Sequence, residues 1–276
     1  MSMRLTSRFA PSPTGNLHLG HAYSAWLGRT LADVWHLRFE DIDATRCQPA
    51  FIATALEDLT WLGLKWDGEI RQQSAHFPDY ANALSKLRAR GLIYPCFCTR
   101  TEIMQAQSAP HAAHALYPGT CRRLADSVRQ HRIARGEPYA LRLDTTRACR
   151  DSGDLKFFDQ DEGWVKAEPQ RLGDVVLARK DTPSSYHLCV VHDDALQGIT
   201  HIVRGEDLRE ATHIQVLLQR LLGYETPVYN HHRLLCGPDG KRLAKRDKAT
   251  TLRSLRLNGA NPADIIRQFG SGRGFG

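Results

Sequence analysis

The segment Arg8-Phe-Ala-Pro-Ser-Pro-Thr-Gly-Asn-Leu-His-Leu-Gly-His21 constrains this chain more than any other. Two prolines and a glycine between residues 11 and 15 forbid a helix there. The apolar-leaning run Leu5 to Phe9 before them reads as a short strand. The stretch Leu19 to Val34 after them carries Ala22, Ala25, Trp26, Leu31 and Val34 at helical spacing. A strand that turns sharply into a helix aims unpaired N–H groups and a positive dipole end at the turn, which favours an anion. His18 and His21 lie one turn apart and can both donate to phosphate oxygens. Gly20 between them leaves the backbone open to a flat base or ribose. A capped helix with two surface histidines is the bland alternative. The glycine between the two and the Pro/Gly turn before them favour a phosphate site.

Beyond this segment the pattern alternates. Val34 to Phe39 reads as a second strand, and Phe51 to Leu62 and Phe77 to Arg90 as amphipathic helices, the latter stopped by Gly91. Such alternation implies an α/β fold with a parallel sheet. The rhythm breaks near residues 94 to 135, around Cys96, Cys98 and Cys121, and this reads as a small insertion. Sheet pattern returns at Tyr139 to Leu143, Asp174 to Leu177, Tyr186 to Val191 and Ile199 to Val203. Leu208 to Leu222 is an amphipathic helix closed by Gly223, followed by a strand at Val228 to Tyr229 and short helices at Thr251 to Leu257 and from Pro262. His192-Asp-Asp194 reads as a strand-end loop rather than a metal site. The divisions expected are 1–93, a first α/β half; 94–138, the insertion; 139–230, the second half; and 231–276, a basic loop with a short helical tail.

Of the 276 residues, 37 are Lys or Arg against 30 Asp or Glu, a net charge of +7. An Arg-rich excess suits a phosphate-bearing partner, because guanidinium forks match phosphate oxygens. No run approaches the roughly 18 apolar residues of a membrane span, and no signal-peptide pattern opens the chain. The expectation is a cytoplasmic protein with no membrane partner. Seven cysteines in such a setting read as thiols or metal ligands, not as a disulfide framework. Cys96 and Cys98 can grip one ion from a tight turn while Cys121 arrives from a later one. Tetrahedral zinc wants a fourth ligand, for which His111 and His114 are the imidazole candidates. Cys47, Cys149, Cys189 and Cys236 read as ordinary thiols.

The second charged feature is Gly237-Pro-Asp-Gly-Lys-Arg-Leu-Ala-Lys-Arg246. Leu235 stands where a P-loop would need its first glycine, so this is no P-loop. Taken with His18-Leu-Gly-His21, it resembles the two signatures of class I aminoacyl-tRNA synthetases, known as HIGH and KMSKS. Arg8-Phe-Ala-Pro-Ser12, Arg38-Phe-Glu-Asp-Ile-Asp43 and Val203-Arg-Gly-Glu-Asp207 are similar to blocks of the glutamyl-tRNA synthetase family, in the same order and over nearly the whole chain.

The resemblance implies a dinucleotide-binding, Rossmann-like catalytic domain with a small zinc-binding insertion and a short helical C-terminal part. It implies condensation of L-glutamate with ATP and Mg²⁺ to glutamyl-adenylate. Arg8, Phe9, Ala10, Pro11 and Ser12 would line the glutamate pocket, Glu40 would meet the amino group, and Tyr186 and Arg204 would complete it. A structural ion pair is the other use for Glu40 and Arg204. His18, Gly20, His21 and Lys245 would bind ATP, and His18, His21 and Lys245 would act in catalysis. Arg242 and Ala244 stand where the family has Lys and Ser. The family also has a glycine in the first helix-to-strand turn, where this chain has Ala32-Asp-Val-Trp-His36. In the shorter relatives CxC…YxxxC is a zinc site, which makes Tyr117 the implied fourth ligand beside Cys96, Cys98 and Cys121. About 30 residues follow Lys245, and no anticodon-reading domain is expected. The short relatives place glutamate on queuosine in tRNA(Asp) without needing tRNA for activation, so the implied partner is the tRNA(Asp) anticodon stem-loop.

Overall fold

The computed structural model describes residues 4–99, 101–103, 116–235 and 250–271. The first half runs β1 (Thr6–Phe9), α1 (Leu19–Leu31), β2 (Val34–Phe39), α2 (Pro49–Trp61), β3 (Arg71–Gln72), α3 (Phe77–Ala89) and β4 (Ile93–Cys96). Then come α4 (Asp126–Ala134), β5 (Ala140–Leu143), α5 (Thr145–Ser152), β6 (Lys156–Asp159), β7 (Gly163–Lys166) and β8 (Val176–Ala178). The remainder is α6 (Tyr186–Leu196), β9 (His201–Gly205), α7 (Arg209–Leu222), β10 (Val228–His232), α8 (Leu252–Leu257) and α9 (Pro262–Ser271).

Strands β1, β2 and β3 form a parallel sheet with β2 in the middle. A second sheet has the order β7-β6-β10-β9, with β6, β10 and β9 parallel. The two meet where Thr200 donates its N–H to the Thr6 carbonyl (3.0 Å) and Thr6 donates to Thr200 Oγ1 (2.9 Å). This seam brings the C-terminal ends of β1 and β9 side by side, where an open α/β sheet places its ligand.

The first crossover needs no glycine. Ala32 is extended, and Asp33 closes the turn: its N–H bonds the Leu5 carbonyl (2.9 Å) while its carboxylate takes the Leu5 N–H (2.8 Å). The close approach that a glycine eases comes one turn earlier instead. A Cβ on Gly28 would stand 3.1 Å from Trp35 Nε1, and the wholly buried Trp35 stacks on Phe9.

Three of the expected sheet segments behave differently. Residues 140–143 and 176–178 do not join the parallel sheet; β5 pairs antiparallel with both β4 and β8. Short runs carry no sign of strand direction. Tyr186 to Val191 is helix, the first half of α6. A continuous apolar run fits a buried helix and a buried strand equally. Here Leu188, Cys189, Val190 and Val191 are all buried, and the run continues into Asp193 and Asp194, likewise buried within the helix rather than in a strand-end loop.

Those two aspartates tie α6 to the first sheet. Asp193 accepts from Arg71 Nε and Gln73 Nε2 (both 2.8 Å) and from the Tyr80 hydroxyl (3.0 Å). Removing one partner of a buried ion pair costs about 3–5 kcal/mol. Asp193→Ala should therefore lower the unfolding free energy by that order in urea, whereas Leu196→Ala, at an exposed position of the same helix, should change it by less than about 0.5 kcal/mol.

Candidate active site

The cleft at the β1/β9 seam has a volume of about 510 Å³, within the range of small-molecule sites. Its floor is the loop after β1, where the Glu40 N–H bonds the Pro11 carbonyl (3.1 Å) and the Gln48 N–H bonds the Pro13 carbonyl (3.1 Å). The prolines thus shape a wall that the following chain reads only through backbone groups. Arg8, Phe9, Ala10, Pro11 and Ser12 line the cleft, and so do Glu40, Tyr186 and Arg204. His18, Gly20 and His21 form its other side. All the expected cleft residues that are described here converge on one space. Lys245, with Arg242 and Ala244, lies outside the described residues. Both flanks of the stretch 236–249 nevertheless sit at the cleft: Leu235 lines it, and the Leu252 N–H bonds the Leu17 carbonyl beside His18 (2.8 Å).

His18 is the N-cap of α1. Its Nδ1 takes the Gly20 N–H (3.1 Å), and the His18 N–H goes to His21 Nδ1 (3.2 Å). With both Nδ1 atoms accepting, each neutral imidazole carries its proton on Nε2. The rings pack at 3.8 Å between centroids. A Cβ at Gly20 would meet the His18 ring at 3.0 Å, so this glycine lets the ring fold back over the helix start.

The charged wall is layered. Arg8, buried, donates through Nε to Asp194 Oδ1 (2.9 Å). Behind it Arg38, with no exposure, donates to the same oxygen (2.8 Å) and to Gln197 Oε1 (2.8 Å). Burial alone would raise the Asp194 carboxyl, but Arg8 and Arg38 outweigh it and hold the group below its ordinary range. Glu40 lies 3.9 Å from Arg38. Burial pushes its carboxyl up to about 7 against the pull of Arg38 and Arg8. Glu40 and Arg204 make no ion pair with each other: Arg204 donates to His231 Nε2, Gln215 Oε1 and Thr212 Oγ1.

Residues 4–273 match the family described as tRNA synthetases class I (E and Q), catalytic domain. The chain belongs to this family. The chain is 48% identical to a glutamyl-Q tRNA(Asp) synthetase of Rhodobacter capsulatus, over 96% of this chain and 100% of the relative. It is 42% identical to one from Symbiobacterium thermophilum, over 95% of this chain and 84% of the relative. Among solved structures it resembles a glutamate tRNA ligase from Elizabethkingia meningosepticum in complex with its amino acid, with TM-score 0.82 and 25% identity. That match covers 97% of this chain and 60% of the ligase. The chain is thus a class I synthetase catalytic domain and a ligase, and the members of its family act on an amino acid, ATP and tRNA.

A second constellation lies in this synthetase fold away from the cleft. The Sγ atoms of Cys96, Cys98 and Cys121 lie within 4.8 Å of one another, a set that can hold a metal ion. Cys98 Sγ is 3.5 Å from Cys121 Sγ and 3.6 Å from the Tyr117 hydroxyl. Zinc bonds of about 2.3 Å to sulfur and 2.0 Å to oxygen give tetrahedral edges of about 3.8 Å (S–S) and 3.5 Å (S–O). The two Cys98 separations lie near those edges. The Cys121 thiol is drawn down to about 6, chiefly by its hydrogen bond with Cys96. Arg142 lies over the Tyr117 ring at 4.0 Å. His111 and His114 lie outside the described residues. Among the described residues no other such His/Cys/Asp/Glu group occurs, and no helix is long and apolar enough to cross a membrane.

Sequence reading missed the layer behind the cleft. Asp194 and Arg38 appear in the sequence as an acidic pair and a strand residue, with nothing to say that they meet. The raised Glu40 carboxyl gives a direct check. A group protonated more readily in the folded state stabilises it below the unfolded value of 4.5, and that contribution is lost as pH rises through about 7. Stability measured at about pH 5 and pH 8 should shift in favour of Glu40→Gln at the higher pH. An infrared carboxylic-acid band titrating near pH 7 should vanish in the same variant.

Proposed function

We propose that this chain activates L-glutamate with ATP, without needing tRNA, and transfers it to queuosine in the anticodon of tRNA(Asp). One observation carries the reading. The inner part of the cleft holds two buried guanidinium groups and the half-buried carboxylate of Glu40, Arg8 and Arg204 being the guanidinium pair, while Arg46 and Asp207 line it from exposed positions. That inner set suits a molecule with two carboxylates and one ammonium. The identity to glutamyl-Q tRNA(Asp) synthetases over nearly full length supports the acceptor. Glutamate's α-carboxylate is already ionised and attacks the α-phosphate of ATP without a general base, releasing pyrophosphate. The chain's part is placement and charge neutralisation. His18 and His21 donate to phosphate oxygens from the start of α1, and Gly20 gives the His18 ring room to fold over it. Lys245 would neutralise charge on the nucleotide's phosphates, and Mg²⁺ enters with the nucleotide as part of the substrate. A ring hydroxyl of queuosine then attacks the adenylate carbonyl, AMP leaves, and an ester remains. The anticodon stem-loop suits an electropositive protein because its bases can be splayed out of the stack. Zinc, held by Cys96, Cys98, Tyr117 and Cys121, is structural, since four protein ligands leave no open position for a reacting water.

Glutamate-dependent ATP–pyrophosphate exchange with no tRNA present should be robust, and glutamine should support little of it. Labelled glutamate should appear on tRNA(Asp) from cells that make queuosine, in an alkali-labile linkage. Labelling of queuosine-free tRNA(Asp) to the same level, or of tRNA(Glu), would overturn the acceptor. The KM for glutamate should rise as pH falls below about 7, where Glu40 takes up a proton, and Glu40→Gln should flatten that dependence. The purified protein should carry one zinc. Cys98→Ser should lose it and Cys149→Ser should keep it; elemental analysis showing the reverse would remove the ligand set.

A further inference from the structure

The two buried arginines of the cleft are backed in opposite ways. Arg8 rests on the Asp194 carboxylate, so its charge is met inside the protein. Arg204 is equally buried, and all three of its protein partners are uncharged groups: the Thr212 hydroxyl (2.6 Å), the Gln215 amide oxygen (2.8 Å) and His231 Nε2 (3.2 Å). For His231 to accept there, its proton must sit on Nδ1. Asp159, wholly buried at the end of β6, supplies the reason, since its Oδ2 lies 2.6 Å from that Nδ1. Burial would raise the Asp159 carboxyl, but the His231 hydrogen bond and the Asp161 N–H hold it low. Burial, with Arg204 beside it, lowers His231 to about 4. The imidazole therefore stays neutral at ordinary pH, with its Nε2 lone pair facing both Arg204 Nε (3.2 Å) and the Thr212 hydroxyl (3.1 Å).

We propose that Asp159 and His231 are positioning residues for amino-acid selection. Through them Arg204 is held as an uncompensated cation whose two remaining N–H groups, one on each terminal nitrogen, form a fork for a substrate carboxylate. A guanidinium has five N–H donors, and Nε and one hydrogen of each terminal nitrogen are taken by the three neutral partners. One N–H on each terminal nitrogen remains, the number that a bidentate carboxylate contact uses. A carboxylate backing, as at Arg8, would hold the side chain equally well but would cancel the charge that distinguishes glutamate from glutamine. The neutral groups in direct contact with Arg204, from α7 and β10, keep the fork fixed and leave its charge for the substrate, while the Asp159 carboxylate of β6 stands one imidazole further back. This inference rests on the glutamate reading above.

The test is amino-acid-dependent pyrophosphate exchange on the full chain, with thermal melts of every variant. Asp159→Asn and His231→Ala should each raise the KM for glutamate about 10-fold or more, the effect of leaving a buried donor unmatched, with kcat and the KM for ATP changed much less. The preference for glutamate over glutamine should fall in both, as it should in Arg204→Ala. His231→Gln places an amide oxygen near the former Nε2 and should restore much of the glutamate affinity. Adding Asp159→Asn to that variant should then change little, because no imidazole remains to be oriented. If His231→Ala does not fold, Asp159→Asn and His231→Gln decide the matter. A lowered preference in Arg204→Ala with an unaltered preference in Asp159→Asn overturns the positioning role while the glutamate reading stands. Equal rises in the KM for glutamate and ATP also overturn it. Absence of glutamate-dependent exchange in the unaltered protein overturns the glutamate reading and this inference together.

Discussion

Asp193 and Asp194, adjacent on α6, take up the charge of three arginines from three consecutive strands: Arg8 of β1, Arg38 of β2 and Arg71 of β3. The first sheet could not close over α6 without them, since an unpaired guanidinium in the interior is costly to bury. Such pairs stabilise little beyond an apolar substitute, because desolvation offsets the attraction. What they contribute here is geometry. Arg8 is fixed from behind, Glu40 is left over a wall of charge that it does not fully share, and the cleft opens where those constraints meet.

The cleft's chemistry follows from how each charge is or is not answered. Arg8 is answered by Asp194 and Arg204 by neutral acceptors. Glu40 lies beside Arg38, whose nearer partner is Asp194, so burial wins and its proton is held to near neutrality. The histidines at the start of α1 are answered by backbone N–H groups, which sets their tautomer. One strand end, one helix start and one helix face therefore present a cation, a titrating carboxyl and two imidazole donors to a single space. The cysteine cluster is built differently. Its three sulfurs and the Tyr117 oxygen come from residues 96–121, with Cys96 held at the end of β4 against β5 and Tyr117 under Arg142 of β5.

The blocks carrying the family resemblance were legible because each is local. Pro11, Pro13 and Gly15 force a turn, His18 caps the helix that follows, and Cys96 and Cys98 flank Phe97 on one strand end. The Ala32–Asp33 crossover departs from the family's glycine turn, yet Asp33 replaces it with two hydrogen bonds to Leu5. The run from Tyr186 to Val191 was misread because apolarity without polar punctuation has no period. Strand direction at Ala140–Leu143 was hidden for a related reason: a four-residue strand looks the same paired either way.

The sequence by itself determined the family, the α/β class and the blocks that line the cleft, and it singled out Cys96, Cys98 and Cys121 as one group. These depend on side-chain type at short spacing, and short spacing survives as contact. Only the tertiary structure decided which charges face which. Arg8 and Asp194 are 186 residues apart, and Asp159 and His231 are 72 apart. No local rule pairs such groups; the order in which strands are laid into the sheets does. The protonation of Glu40, the tautomer of His231 and the free charge on Arg204 are properties of that packing, because burial and distance set them and neither is written in the order of residues.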